Sequence, residues 1–178
     1  SSEPEIPPAP PQDEEPSAEP TPFVISFLGD CTLTSSHHTS HFEKLVGDDY
    51  AYPFSNVAEL LLADDLTLAN LECSFSPRRL ESDSEYAFCG DPQYVQSLVQ
   101  GGVEAVTLSN NHTRDFGDAG LRDTEAALAE YGVAGIPGNQ GQCFELRHDN
   151  GDTLRLGAYV HPFNGSAKQM EDGCKRLR

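Results

Sequence analysis

An α/β fold with a sheet of mostly parallel central strands is what the order of apolar segments predicts. Strand-like runs alternate with helical ones along the chain, and a hairpin follows them. Three of the strand-like runs end in polar residues, Gly29-Asp30, Asn70-Leu71-Glu72 and Asn110-Asn111-His112. Polar side chains gather in this way at the carboxyl edge of an open α/β sheet, where such folds place their ligands. No internal repeat is visible.

Phe23 to Leu28 is a near-continuous apolar run, expected as a central strand buried on both faces and ending at Gly29-Asp30. A polar loop from Thr32 to Ser40 leads into a weak helical piece at His41 to Val46. Ser55-Asn56 offers an N-cap for Val57 to Leu62, whose apolar spacing is helical, and Asp64-Asp65 closes that helix. Leu66-Thr67-Leu68-Ala69 opens the second strand, which ends in Asn70-Leu71-Glu72. Glu85 to Cys89 is a short candidate strand. Asp91-Pro92 then starts a helix with a capping carboxylate and proline at its first position, and Gly101-Gly102 stops it.

Val103 to Leu108, rich in β-branched residues, is the next buried strand. It runs into Ser109 to Gly117, the stretch around which the rest of the chain is arranged. Asp118 is expected to cap an amphipathic helix from about Ala119 to Tyr131 with Leu121, Ala127 and Leu128 on its inner face, and Gly132 ends it. Val133 to Ile136 is a further short strand. Gln142 to Arg147 pairs with Thr153 to Val160 through Asp149-Asn150-Gly151-Asp152, in which Asn-Gly is a hairpin signal. Ser166 to Leu177 reads as a helix that stops abruptly with no strand after it, so the chain is expected to be the first part of a longer domain.

Composition narrows the function. Ser1 to Pro22 holds eight prolines and six acids, with Ile6 its single large aliphatic, and is expected to be a disordered Pro/Glu-rich linker. The net charge is -18; the linker's six acids account for part of it and leave -12 on the remainder. Nucleic acid is therefore excluded as a partner, since phosphate contact needs a basic footprint. No stretch approaches the length of a membrane-spanning helix, and a chain opening on an acidic linker reads as a form whose anchor or signal lay upstream. The five cysteines have no C-x-x-C spacing, which excludes a zinc ribbon; Cys31 and Cys73, each directly after a candidate ligand, form a disulfide, add soft ligands or sit as free, partly buried thiols, the last being the default reading.

The polar strand ends carry the candidate chemistry. Asn110, Asn111 and His112 offer neutral metal ligands or hydrogen-bond donors; the competing reading is a turn at Asn110-Asn111 with His112 as a cap. Arg114 and Asp115 either touch substrate or form a structural ion pair or cap. His37, His38 and His41 lie in a polar loop with no carboxylate at ligand spacing and are read as solvated. Asp115-Phe116-Gly117 matches the kinase tripeptide, but no Gly-rich or catalytic loop precedes it, so Gly117 is read as the turn into the next helix. His161 sits either at the site's rim or as a cap before Pro162.

Taken in this order and spacing, the three strand ends with Asp115-Phe116-Gly117 resemble the bacterial capsule-synthesis CapA family, also called the poly-γ-glutamate synthesis family, within the calcineurin-like metallophosphoesterase superfamily. The resemblance covers roughly Phe23 to Val160 and is most specific from Gly102 to Gly138. It implies a metallophosphoesterase-like layered α/β sheet, here truncated at its C-terminal end, from a protein of capsule or poly-γ-glutamate biosynthesis or export. It implies an extracytoplasmic setting, secreted or membrane-anchored through a segment upstream, and an anionic capsule polymer or its synthase complex as partner. It implies two divalent metal ions at the carboxyl edge, with Asp30, Asn70, Glu72 and Asn111 as ligands and His112 assisting the leaving group. Hard oxygen ligands favour manganese, magnesium or iron. Arg114 and Asp115 are placed to touch substrate. The superfamily's imidazole two residues after the aspartate is Thr32 here, its Gly-Asp is Ala69-Asn70, and its remaining histidine motifs would fall beyond Arg178. Two functions stay in view: a metal-dependent phosphoesterase-like hydrolase if the full domain is present, and a non-catalytic polymer-binding or scaffold module with a degenerate metal site.

Overall fold

The computed structural model describes residues 21–36, 39–78 and 80–177. The expected linker lies outside the described residues except for Thr21 and Pro22, as do His37 and His38. In chain order the elements are β1 (Ile25–Cys31), α1 (His41–Val46), a 3-10 turn (Tyr52–Phe54), α2 (Ala58–Leu61), β2 (Leu66–Leu71), β3 (Ser74–Phe75) and β4 (Cys89–Gly90). A second 3-10 turn (Pro92–Tyr94) runs into α3 (Val95–Gln100), followed by β5 (Ala105–Leu108), α4 (Gly117–Glu130), β6 (Ala134–Pro137), β7 (Gln140–Arg147), β8 (Thr153–Val160) and α5 (Ala167–Arg176).

The α/β expectation holds. Strands β1, β2, β5 and β6 form a four-stranded parallel sheet in that spatial order. Each new strand is added on the same side of the last, and right-handed crossovers then leave the connecting helices on one face. The side chains sort accordingly. Ala69 and Leu71 of β2, with Val106 and Leu108 of β5, pack with Leu98 of α3 and Ala127 and Leu128 of α4. Leu66 and Leu68 of β2, with Ala105 and Ile136, face the other way and pack with Val160, Leu156 and Phe144 of the antiparallel β7–β8 hairpin. The result is three layers, helices, sheet and hairpin, fixed by the two-residue period of β2. Leu66, Leu71 and Leu98 are fully buried, and each such side chain contributes about 1.5–3 kcal/mol through burial.

β1 departs from its expectation: it is an edge strand, and Phe27 is 72% exposed. A continuous apolar run reports that two faces can be covered, not how many strands lie alongside. Leu28 and Cys31 pack under the helices and Ile25 under the hairpin, but the hairpin layer leaves Phe27 at the mouth of an apolar cleft of about 330 Å³. The register of β1 on β2 shifts between Phe27 and Asp30, a bulge that re-aims the strand's end.

Smaller departures have local causes. The helix expected over Val57 to Leu62 is the four-residue α2, because the Ser55 hydroxyl bonds back to the Tyr52 carbonyl (2.9 Å) and closes the 3-10 turn instead of capping. Of Glu85 to Cys89, Tyr86 is exposed and Phe88 forms an isolated bridge to Ser36, so β4 begins only at Cys89. Helix α4 begins at Gly117 with φ 62°, a conformation open to glycine, which puts Asp118 in the first turn instead of at the cap. Asp91 caps as expected, its Oδ1 accepting from the Gln93 N–H at 2.9 Å. The hairpin turns through a three-residue loop, with Gly151 at φ 92° and its N–H donating to the His148 carbonyl (2.9 Å).

Candidate functional site

The site begins with strand register. Asp30 lies opposite Asn70 across β1 and β2, and Asn70 lies opposite Thr107 across β2 and β5. Three side chains are thereby levelled at the carboxyl edge before any side-chain bond forms.

Hydrogen bonds then fix which way each amide points. Asn110 Nδ2 donates to the Leu71 backbone carbonyl (2.8 Å), which can only accept, while Asn110 Oδ1 accepts from the His112 backbone N–H (2.9 Å). The same Nδ2 donates to Asn70 Oδ1 (3.0 Å), and the Thr107 hydroxyl donates to that oxygen as well (2.8 Å). Both lone pairs of Asn70 Oδ1 are taken, so its Nδ2 must face outward. There it donates to Asp30 Oδ1 (2.8 Å) and, more weakly, to Glu72 Oε1 (3.3 Å). The backbone of β2 thus sets, through two amides, the positive end of a dipole between two carboxylates. Asp30 is exposed and Glu72 half-buried.

The loop after β5 carries the imidazole. The Asn110 N–H donates to the Thr113 hydroxyl (2.9 Å), and that hydroxyl donates to Asn110 Oδ1 (3.2 Å), a side-chain-closed turn. The turn reading of Asn110 therefore holds, and its effect is to present His112. His112 Nδ1 lies 3.0 Å from Asp115 Oδ2, which also accepts the Phe88 N–H at 3.0 Å. The Phe88 ring packs edge-on to the imidazole, centroids 4.9 Å apart. A carboxylate accepts only, so the Nδ1 proton sits between His112 and Asp115, and Nε2 is the nitrogen left for proton exchange.

The expected site residues are thus distributed unevenly. Asp30, Asn70 and Glu72 join in one network, and His112 is tied to it through Asn110. Asp115 engages His112 and Phe88. Asn111 is exposed and lines a separate cleft of about 550 Å³ with Arg114, whose guanidinium pairs with Asp118. His161 bonds through Nε2 to the Ser166 carbonyl (2.9 Å), and His41 is exposed on α1. Thr107 and Thr113 are not among the residues singled out from the sequence, and Asn110 is singled out there only together with Asn111. Thr107 stands between Val106 and Leu108 as a polar residue on the opposite face, a period-2 signal; nothing in the dipeptide Asn110-Asn111 says which amide turns inward.

Among the described residues no group of three or more His, Cys, Asp or Glu side chains is arranged to hold a metal ion. Asp30 and Glu72 supply acidic oxygens suited to a hard divalent cation. Thiolate does not add to them. All five cysteines are free, and burial pushes the Cys31 thiol up to about 12, Cys89 to about 11, and Cys73 higher still.

A parallel sheet covered by helices on one face and by the β7–β8 hairpin on the other is a layered α/β fold of the metallophosphoesterase-like kind. The chain belongs to the family described as bacterial capsule synthesis protein PGA_cap, which it matches over residues 24–172. It is 28% identical over 137 residues to an uncharacterised protein of Sinorhizobium fredii, covering 70% of this chain and 27% of that one. It is 32% identical over 96 residues to a probable polyglutamine synthesis accessory protein of Mycobacterium tuberculosis, covering 49% of this chain and 24% of that one. The chain spans about a quarter of the length of the curated relatives it matches.

Proposed function

We propose that this chain serves capsule-polymer synthesis through a phosphoesterase-type site at the carboxyl edge of its sheet, to which it contributes two cation-holding carboxylates and a proton donor. The observation that carries the reading is the joining of Asp30, Asn70, Glu72, Asn110 and His112 in one hydrogen-bonded network at a single sheet edge.

Asp30 and Glu72 are the residues that would hold a divalent cation. A bound cation supplies positive charge and Lewis acidity to a phosphoryl oxygen. His112 does the proton work: Asp115 orients its ring through Nδ1, and Nε2 gives a proton to the departing oxygen, a contribution worth about a hundredfold to ten-thousandfold in rate. Phe88 restricts the ring's rotation from one side. Asn70 and Asn110 keep the carboxylates in place when no cation is present.

Titration calorimetry with manganese tests the cation reading, and a chromogenic phosphodiester tests the chemistry. Binding is expected in the wild-type chain and lost in Glu72→Gln. Turnover is expected to fall by at least about a hundredfold in His112→Ala, with its melting temperature close to wild type. Absence of both binding and turnover replaces this reading with the second one.

In the second reading the site is a degenerate one and the chain a polymer-binding or scaffold module. One observation favours it: the Asn70 amide already places its Nδ2 between Asp30 and Glu72, satisfying both without an ion.

A further inference from the structure

We infer that the apolar cleft of about 330 Å³ between the sheet and the β7–β8 hairpin seats the hydrocarbon chain of a phosphate ester whose headgroup lies at the carboxyl edge. The inference rests on the phosphoesterase-type reading above and names the class of substrate that such a site takes.

The position of the cleft follows from the strand period. Leu68 of β2 faces the hairpin, and two residues on, at the strand's end, Asn70 shares that face. One cleft is therefore lined by Leu68, Ile136 and Leu156 and, at the carboxyl edge, by Asn70 and Thr107. Asn70 Nδ2 is the group that reaches Asp30 Oδ1 (2.8 Å) and Glu72 Oε1 (3.3 Å). The apolar surface thus begins one side chain away from the oxygens that would hold a cation, and a ligand with a hydrocarbon chain and an anionic phosphate head matches that succession.

The lining selects hydrocarbon. None of the described lining residues is charged, although charged residues make up 22% of the chain. The polar side chains among them are already engaged. The Thr107 hydroxyl donates to Asn70 Oδ1 (2.8 Å), Asn70 Nδ2 is taken by the two carboxylates, and the single hydroxyl proton of Tyr159 is shared between Asn139 Oδ1 and the Gln169 carbonyl. A polar chain entering here gives up hydrogen bonds to water that these side chains do not replace. A hydrocarbon gives up none, and each methylene it buries strengthens binding about fourfold. Phe27, 72% exposed at the mouth, offers further apolar surface to an entering chain. The volume lies at the lower end of the ordinary range of ligand sites, about 300–1,000 Å³, which suits one chain and not two.

The test is calorimetric titration of the whole chain with butyl phosphate and octyl phosphate, each below its micelle concentration and with manganese present. Octyl phosphate is expected to bind at least about tenfold more tightly, through its extra methylenes. With manganese omitted, it is expected to shift the amide NMR signals around Leu68, Ile136 and Leu156. Ala158→Phe fills the cleft from β8 and is expected to abolish the preference for the longer chain without lowering the melting temperature, a result that misfolding does not imitate. Phe27→Ser, at an exposed position, is expected to reduce the preference severalfold. Glu72→Gln is expected to keep the preference and remove the strengthening by manganese, which separates this inference from the cation reading. Equal binding of the two esters by a wild-type chain that still binds manganese overturns the inference. So does a preference that survives both Ala158→Phe and Phe27→Ser, or NMR shifts centred on the exposed Leu60 and Leu62 instead of the cleft. Octyl phosphate affinity that manganese leaves unchanged overturns the placing of the phosphate at the carboxyl edge.

Discussion

Asn110 is the residue on which the carboxyl edge depends. One side chain donates to Leu71 O and Asn70 Oδ1 and accepts from His112 N and Thr113 Oγ1, so it joins β2, β5 and the imidazole loop. Replacing it with aspartate removes the donor and sets a carboxylate against two acceptors. Asn110→Asp is expected to cost about 2–3 kcal/mol in urea unfolding near neutral pH, the penalty of an unpaired polar group with charge added. The sign of its pH dependence follows. Facing acceptors, the new carboxyl has a raised folded-state pKa, so the loss shrinks as pH falls and the group protonates. A pH-independent loss contradicts the hub role. The sequence marked this stretch as functional but paired Asn110 with Asn111, since two adjacent amides differ only in which one the turn directs inward. Asp115 was legible as a polar group just past the site, yet its bond to His112 Nδ1 depends on how the loop closes three residues later, which residue type does not reveal.

At the scale of elements, two contacts hold the hairpin layer and its neighbours to the sheet. His148 at the end of β7 bonds through Nε2 to Asp65 Oδ1 (2.7 Å) and stacks on Phe23 at 4.0 Å between centroids. The Val24 N–H, 2.7 Å from Asp65 Oδ2, holds the Asp65 carboxyl below its ordinary value of 3.8, and the bond from His148 lowers it further. A carboxyl lowered on folding lends stability that is complete above its unfolded-state pKa and lost as pH falls through the folded one. Asp65→Asn is therefore expected to be less stable than wild type near neutral pH and to lose less stability on acidification below about pH 4; parallel acid curves contradict the clamp. Helix α5 docks through Gly173, where an added Cβ would overlap the Tyr159 ring. That ring is held by its hydroxyl, whose single proton is shared between Asn139 Oδ1 and the Gln169 carbonyl, each at 3.0 Å. Gly173→Ala is expected to lower stability by about 1–3 kcal/mol despite alanine's better helix propensity; a stabilised variant in thermal unfolding refutes that docking. The start of α5 lies where the sequence places it, at Ser166, and there Ser166 and Gln169 form a capping box. The edge position of β1 was not readable, since hydrophobic periodicity measures the covering of faces and leaves the number of neighbouring strands open.

At the scale of the molecule, the alternation of strands and helices gave the α/β class, and the three polar strand ends located the carboxyl edge, because parallel strands put all their ends on one side. The three-layer arrangement was not readable: it follows from Leu66 and Leu68 facing one way and Ala69 and Leu71 the other, which assigns two covers but does not name them. Removing residues 1–20 is expected to leave the melting temperature unchanged, since a stretch of prolines and acids with one large aliphatic has little apolar surface to add to a core; a drop of several degrees contradicts this. The central claim, that the network joining Asp30, Glu72 and His112 is a cation-using site, is tested most directly by paramagnetic broadening in the nitrogen-15 NMR spectrum of the chain during manganese titration. The expected result is selective loss, at the lowest manganese additions, of the amide signals around Asp30, Glu72 and His112, abolished by Glu72→Gln. Broadening spread over the acidic surface, or unchanged in Glu72→Gln, contradicts it.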